Sequence, residues 1–109
     1  MIIAITEFRL KRFKYYYKAL KLATKAGIEA KEAKGFIYMK TGGKGFMTLR
    51  TLSAWETINH MNEFVKMPAH LEAMKMAPLI AKSTNTMHIE LDEIPKWNDA
   101  FKMLSTKKR

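Results

Sequence analysis

Apolar and polar positions follow two rhythms along this chain, and the changes between them mark its elements. Residues 2–10, IIAITEFRL, are rich in β-formers and end against charge, as a strand does. From Phe13 to Ala26 the rhythm changes: Phe13, Tyr16, Tyr17, Leu20 and Ala23 fall on one helical face. Lys14, Lys18, Lys21 and Lys25 fall opposite, and Gly27 stands where a left-handed C-terminal cap belongs. Residues 35–41 predict a second strand, and the pair Gly42-Gly43 predicts a tight hairpin turn. A third strand then runs from Gly45 or Phe46 to Trp55. Thr57 is placed to cap a helix bearing Ile58, Met61, Phe64 and Val65. Pro68 suits the first turn of a continuation carrying Leu71, Met74 and Met76, which Pro78 should kink or end near Ala77. Thr84 to Leu91 alternates Thr86/His88/Glu90 with Met87/Ile89/Leu91, a fourth strand. Past Pro95, the spacing of Trp97, Ala100, Phe101 and Leu104 predicts a terminal helix, with 105–109 fraying.

The order β-α-β-β-α-β plus a helix predicts an α+β fold, the ferredoxin-like split βαβ with a four-stranded antiparallel sheet. Residues 1–109 make one such domain, without linker or repeat. The first strand has Ile2, Ile3, Ala4 and Ile5 in succession. The third has Phe46, Leu52 and Ala54 at one parity and Met47, Leu49 and Trp55 at the other. Apolar residues on both faces ask for a second cover beyond the two crossover helices. A second copy of the sheet, giving a homodimer, is the simplest expectation.

Composition narrows the function classes. An apolar fraction of 48% excludes a disordered chain, and no apolar run is long enough to span a membrane. The N-terminal block puts apolar residues before charge, the reverse of a secretory signal, and is expected to be a strand. The absence of cysteine leaves no disulfide or thiolate metal site and suits a cytoplasmic protein. A net charge of +10 fits either a solvated lysine-rich surface or an anionic partner. Lysines interleaved with Tyr15, Tyr16 and Tyr17 could grip nucleic acid, but their segregation onto one helical face favours an ordinary amphipathic helix.

Few residues carry candidate chemistry. His70 follows Pro68-Ala69 at a helix start. It is read either as a general base or hydrogen-bond donor to a substrate oxygen, or as a surface histidine of the first turn. Arg50, mid-strand among Leu49, Thr51 and Leu52, needs a partner. Glu7 on the neighbouring strand can supply one; otherwise Arg50 points into a cavity and invites an anionic or enolate substrate. Trp55 either lines a pocket for an aromatic molecule or fills a core. His60 is expected in solvent, and His88 faces cavity or water. The three histidines show no metal-ligand spacing, and Gly42-Gly43-Lys44-Gly45 is read as a turn rather than a phosphate loop. Nine methionines fit an adaptable interior.

Leu52-Ser53-x-Trp55-Glu56, then Met61 and Phe64, then Pro68-x-His70-x-x-Ala73-Met74, resemble the dimeric α+β barrel superfamily. That group includes the antibiotic-biosynthesis and haem-degrading monooxygenases. The likeness is greatest to an uncharacterised bacterial branch, whose tail is similar to Ile94-Pro-Lys-Trp97-Asn-Asp-Ala100. The resemblance implies a homodimer and a cavity between sheet and helices in each protomer. Haem-degrading members use an asparagine, a tryptophan and a histidine that fall here on Glu7 or Phe8, Phe64 and Met74, so their set is missing. Met74 is read as core, and His70, one turn earlier, is a possible substitute ligand. The resemblance thus implies a monooxygenase-like protein without cofactor, haem being disfavoured. It would bind a small apolar or aromatic molecule among Arg50, Trp55, Phe64, His70 and Met74, with Glu7 beside Arg50. In catalysis, His70 would act as base and Arg50 would stabilise negative charge. The alternative readings are a non-catalytic small-molecule-binding or stress-associated dimer, and a basic nucleic-acid-binding module.

Overall fold

The computed structural model describes residues 1–45 and 47–107. Phe46 and the last two residues of the expected frayed tail lie outside the described residues. Four strands, β1 (Ile2–Leu10), β2 (Phe36–Lys44), β3 (Thr48–Trp55) and β4 (Ala81–Glu90), form one antiparallel sheet in the order β2-β3-β1-β4. The helices are α1 (Tyr16–Glu32), α2 (Ile58–Val65), α3 (Pro68–Ile80) and α4 (Trp97–Lys107), with a 3-10 turn at Phe13–Tyr15 leading into α1. This is the expected ferredoxin-like α+β arrangement. The β-rich first and third runs take the two central positions, where both edges are hydrogen-bonded.

Both glycine assignments shift. Gly42 and Gly43 are strand residues, paired with Arg50 and Leu49, and the hairpin turns around Gly45, whose φ is +69°. Close approach explains the pair. A Cβ on Gly42 would sit 3.2 Å from the Trp97 indole, and one on Gly43 would sit 3.2 Å from the Thr48 carbonyl. α1 also runs past Gly27 to Glu32, and the left-handed residue is Gly35, with φ +79°. A side chain there would collide with the ring of His60. His60 is therefore packed rather than free in solvent, and its Nδ1 lies 2.9 Å from the Thr57 hydroxyl.

The face of α1 is corrected too. Ala19, Leu22, Ala26 and Ala30 turn inward, whereas Phe13 and Tyr17 are 74% and 77% exposed. Of the expected face, Tyr16 and Ala23 pack against a core cluster while Phe13, Tyr17 and Leu20 stay outside. Thr57 caps α2 as expected, accepting from the His60 amide at 3.2 Å. Pro68 opens α3, but Pro78 does not end it, and the helix continues to Ile80 before running directly into β4. Met74, expected in the core, is 56% exposed. α4 forms where predicted and persists through Ser105 and Thr106 to Lys107.

The two sheet faces are covered differently. On one, α1, α2 and α3 build two apolar clusters: Leu10, Ala19, Leu22, Leu49 and Ile80 at one end, and Ala30, Trp55, Met61 and Phe64 at the other. On the opposite face α4 lays Ala100, Phe101 and Leu104 over Ile3, Ile5, Leu52 and Ala54. The second cover required by apolar residues on both faces is thus the chain's own terminal helix. That removes the ground on which a second sheet was expected.

Candidate functional site

Between the two clusters of the helix-covered face the packing opens into a cavity of about 630 Å³. Its floor is the sheet, where strand alternation brings Ala4, Thr6, Thr51 and Ser53 inward, and its roof includes Ala19, Leu22, Ala23 and Ala26 of α1. Short side chains on both surfaces leave the space unfilled. The β4 side is open, since Thr84, Thr86 and His88 line the cavity and are themselves exposed.

One end wall is aromatic. Trp55, fully buried at the end of β3, stacks on Phe64 with ring centroids 4.8 Å apart, and Phe36 meets it edge-on at 5.7 Å. The indole N–H donates to the Ser53 hydroxyl at 3.2 Å, so this large side chain buries no unsatisfied donor. Trp55 both fills the core and lines the cavity, and the two sequence readings are compatible. Phe64 in turn meets the His70 ring edge-to-face at 5.1 Å.

His70 lies on the cavity wall, half-buried. Burial pushes its pKa below the ordinary imidazole value of 6.5, against weaker opposing effects from the Val65 backbone and the Glu29 carboxylate. Its Nδ1 is buried without a hydrogen-bond partner among the described residues. The carboxylate of Glu29, on α1, accepts from the Ala69 amide at 3.0 Å. Because Met67 offers α3 no side-chain cap, Glu29 performs that task from another element and holds the turn that carries His70. Nothing in the local pattern signals this cap, since forty residues separate the partners.

Arg50 and Glu7 are elsewhere. They are cross-strand partners in the β1–β3 register, on the face covered by α4, and neither lines the cavity. Arg50 Nε donates to Glu7 Oε2 at 2.8 Å, and its guanidinium sits 4.7 Å from the Phe101 ring centroid. The pairing alternative is the one found. Strand parity places residue 50 opposite 49, 51 and 53, which excludes Arg50 from contact with a ligand in the cavity. Glu7 leaves the substrate-binding set for the same reason. Met74, by contrast, stays at the cavity rim.

No family model matches the chain, and no curated protein matches it. Solved structures do. A protein of Nitrosomonas europaea, provisionally described as an antibiotic biosynthesis monooxygenase, superposes with a TM-score of 0.77 at 7% identity. The match covers 85% of this chain and 100% of that one. SnoaB of Streptomyces nogalater, described as a cofactor-independent oxygenase, gives 0.71 at 6% identity over 84% of this chain and 93% of its own. A Nitrosomonas europaea protein of unknown function gives 0.73 at 13% identity, covering 86% and 91%. The fold is that of the antibiotic biosynthesis monooxygenase-like proteins. At such identities the likeness concerns the course of the backbone, and the chemistry has to be argued from the side chains of this chain.

Sequence reasoning located Trp55, Phe64, His70 and Met74 among the cavity residues and missed its floor. Thr41, Thr51, Thr6 and Thr86 are mutual neighbours in the register and all line the cavity. Their signal was present in strand parity but readable only once the hairpin register was known.

Proposed function

We propose that the protein binds a small, largely apolar or aromatic molecule in the cavity and oxidises it without a cofactor. The observation that carries this reading is the cavity itself, walled by the Trp55–Phe64 stack with His70 beside it. An imidazole on the cavity wall that burial keeps neutral is suited to taking a proton from a phenol. The phenolate so formed is electron-rich enough to react with dioxygen. One oxygen atom enters the ring to give a quinone, the other leaves as water, and the substrate supplies all the electrons. The description of SnoaB as cofactor-independent supports that class by likeness of fold. Arg50 has no part in it.

The test uses 1-naphthol as probe, read by quenching of Trp55 fluorescence in a Trp97→Phe background and by dioxygen uptake without added cofactor. Binding with uptake in the parent, and binding without uptake in His70→Ala, is the expected result. Unchanged uptake in His70→Ala would remove the base role, and no quenching would remove the cavity as a ligand site. The proposal includes a homodimer, supported by Phe13, Tyr17, Ile28 and Leu79, each more than 60% exposed. Sedimentation equilibrium giving a monomer at micromolar concentration would remove that part alone.

A further inference from the structure

One end of the helical layer carries charge of a single sign. Residues 8–28 include seven cations, from Arg9 to Lys25, and no aspartate or glutamate. Residues 73–89 add Lys75 and Lys82, again without an acid. The two segments meet in space, since the Lys11 amide donates to the Ile80 carbonyl at 2.8 Å and Ile80 packs in one cluster with Ala19 and Leu22. Few of these charges are neutralised. Arg9 reaches Glu7 at 3.6 Å and Lys25 reaches Glu72 at 3.8 Å. Lys11, Arg12, Lys14, Lys18 and Lys21 have no ion pair among the described residues.

Apolar side chains stand among these cations. α1 turns Ala19, Leu22, Ala26 and Ala30 inward. Tyr17 and Leu20 therefore share its outer half with Lys14, Lys18 and Lys21, and the two stripes run side by side rather than on opposite faces. Phe13 and Tyr17 project most, and Leu79, next to Ile80, is 61% exposed.

An exposed apolar patch marks an interaction site, and the charge around it says what covers it. A second copy seated here would press cation on cation; a homodimer that covers Ile28, near the other end of α1, leaves this end free. Nucleic acid would stack its bases on rings, but Tyr15 and Tyr16 are drawn against the core cluster, and Leu20 and Leu79 offer no ring. An anionic lipid surface answers both halves of the patch, acyl chains for the apolar residues and head groups for the lysines. No helix among the described residues is long and apolar enough to cross a membrane, but lying on one requires no such helix.

We infer that the protein docks on anionic membrane surfaces through this end. Phe13, Tyr17 and Leu79 enter the boundary between head groups and acyl chains, and the unpaired lysines of α1 hold the head groups. The inference is independent of the cavity and its chemistry.

The experiment is co-sedimentation of the full chain with vesicles of phosphatidylcholine, alone or mixed with phosphatidylserine. Binding is expected to the mixed vesicles only, and it should fall steeply as salt is raised. Lys14→Gln/Lys18→Gln should weaken it on the order of tenfold. Phe13→Ser/Tyr17→Ser should weaken it by a similar factor. All four positions are exposed, so both variants should melt with the parent and match it in 1-naphthol binding. In a Tyr17→Trp/Trp97→Phe protein, indole emission should shift to the blue on the mixed vesicles. No binding to the mixed vesicles, or binding that ignores the Phe13 and Tyr17 changes, overturns the inference and leaves the cavity reading untouched. A single-stranded oligonucleotide that binds more tightly than the vesicles, and less tightly to both variants, overturns it in favour of nucleic acid. A soluble dimer that Phe13→Ser/Tyr17→Ser splits into monomers overturns it in favour of a second copy.

Discussion

His70 and the Glu7–Arg50 pair show what burial does to a charged or chargeable group. Burial favours neutral His70, so the folded protein takes up its proton at lower pH than the unfolded chain does. Between the lowered value and 6.5 the unfolded state therefore holds more protons. The stability contributed by neutral His70 is complete above 6.5 and falls as pH drops through that window. Chemical denaturation at pH 7 and at successively lower pH should show this slope in the parent, and a shallower one in His70→Asn. If His70 acts as base, dioxygen uptake should decline on acidification with a midpoint below 6.5, following loss of the neutral form. The Glu7–Arg50 pair is nearly buried, with side-chain exposures of 11% and 20%. Arg50→Ala, which leaves the nearly buried Glu7 carboxylate only a longer 3.6 Å contact to the exposed Arg9, is expected to cost about 3 kcal/mol. The double variant Glu7→Leu/Arg50→Met should cost less than either truncation alone, because no buried charge is left without its partner and Arg9, which also loses Glu7, is exposed. Neither change should alter 1-naphthol binding, since the pair lies on the other face of the sheet. Denaturation of the three variants beside a binding titration checks both statements.

Among the elements, α3 and the β2 approach depend on single contacts from outside themselves. The first turn of α3 has no cap of its own and borrows the Glu29 carboxylate through the Ala69 amide. Glu29→Ala should destabilise the fold by about 1 kcal/mol, the usual worth of a helix N-cap. It should also lower the His70 midpoint further, because one of the effects raising that pKa goes with it. NMR titration of the imidazole would show the second effect independently of the first. Gly35 is constrained twice, by a positive φ and by the His60 ring, which a Cβ would overlap. Gly35→Ala should therefore be severely destabilising, and adding His60→Gly should recover part of the loss but not the backbone strain, about 1–2 kcal/mol. Thermal melts of the single and double variants separate the two contributions. Sequence spacing was informative here where capping is local, as at Thr57 and Pro68. It misled at Gly27, which lies inside a helix where a Cβ would make only ordinary contact, and at Gly42-Gly43, where a close-packed strand uses glycine for space rather than for turning.

For the whole molecule, the decisive feature is that α4 closes one face of the sheet while α1 to α3 leave a hollow on the other. Ala100, Phe101 and Leu104 are all buried against the sheet, and each large apolar side chain so buried contributes about 1.5–3 kcal/mol. Ending the chain at residue 96 should expose Ile3, Ile5, Leu52 and Ala54 together and give an aggregating or dye-binding protein. Retained solubility and an unchanged melt in that truncation would show that α4 is not the structural cover. The hollow on the opposite face reflects the alanines of α1 and the small residues of the floor. A core built for stability alone would have filled it, since unfilled interior volume forfeits dispersion contacts.

The sequence by itself determined the order and type of the elements, because apolar period, proline position and the Thr57 cap are local properties. It also determined that both sheet faces need cover, and it singled out Trp55, Phe64 and His70. Tertiary structure alone decided which element supplies the second cover, that Arg50 turns away from the cavity to meet Glu7, and that Glu29 holds the turn bearing His70. It also set four threonines from four strands side by side. Each of these depends on strand register and on contacts between residues distant in the chain. A shift of one residue would exchange the two faces of a strand, and the local pattern does not resolve such a shift.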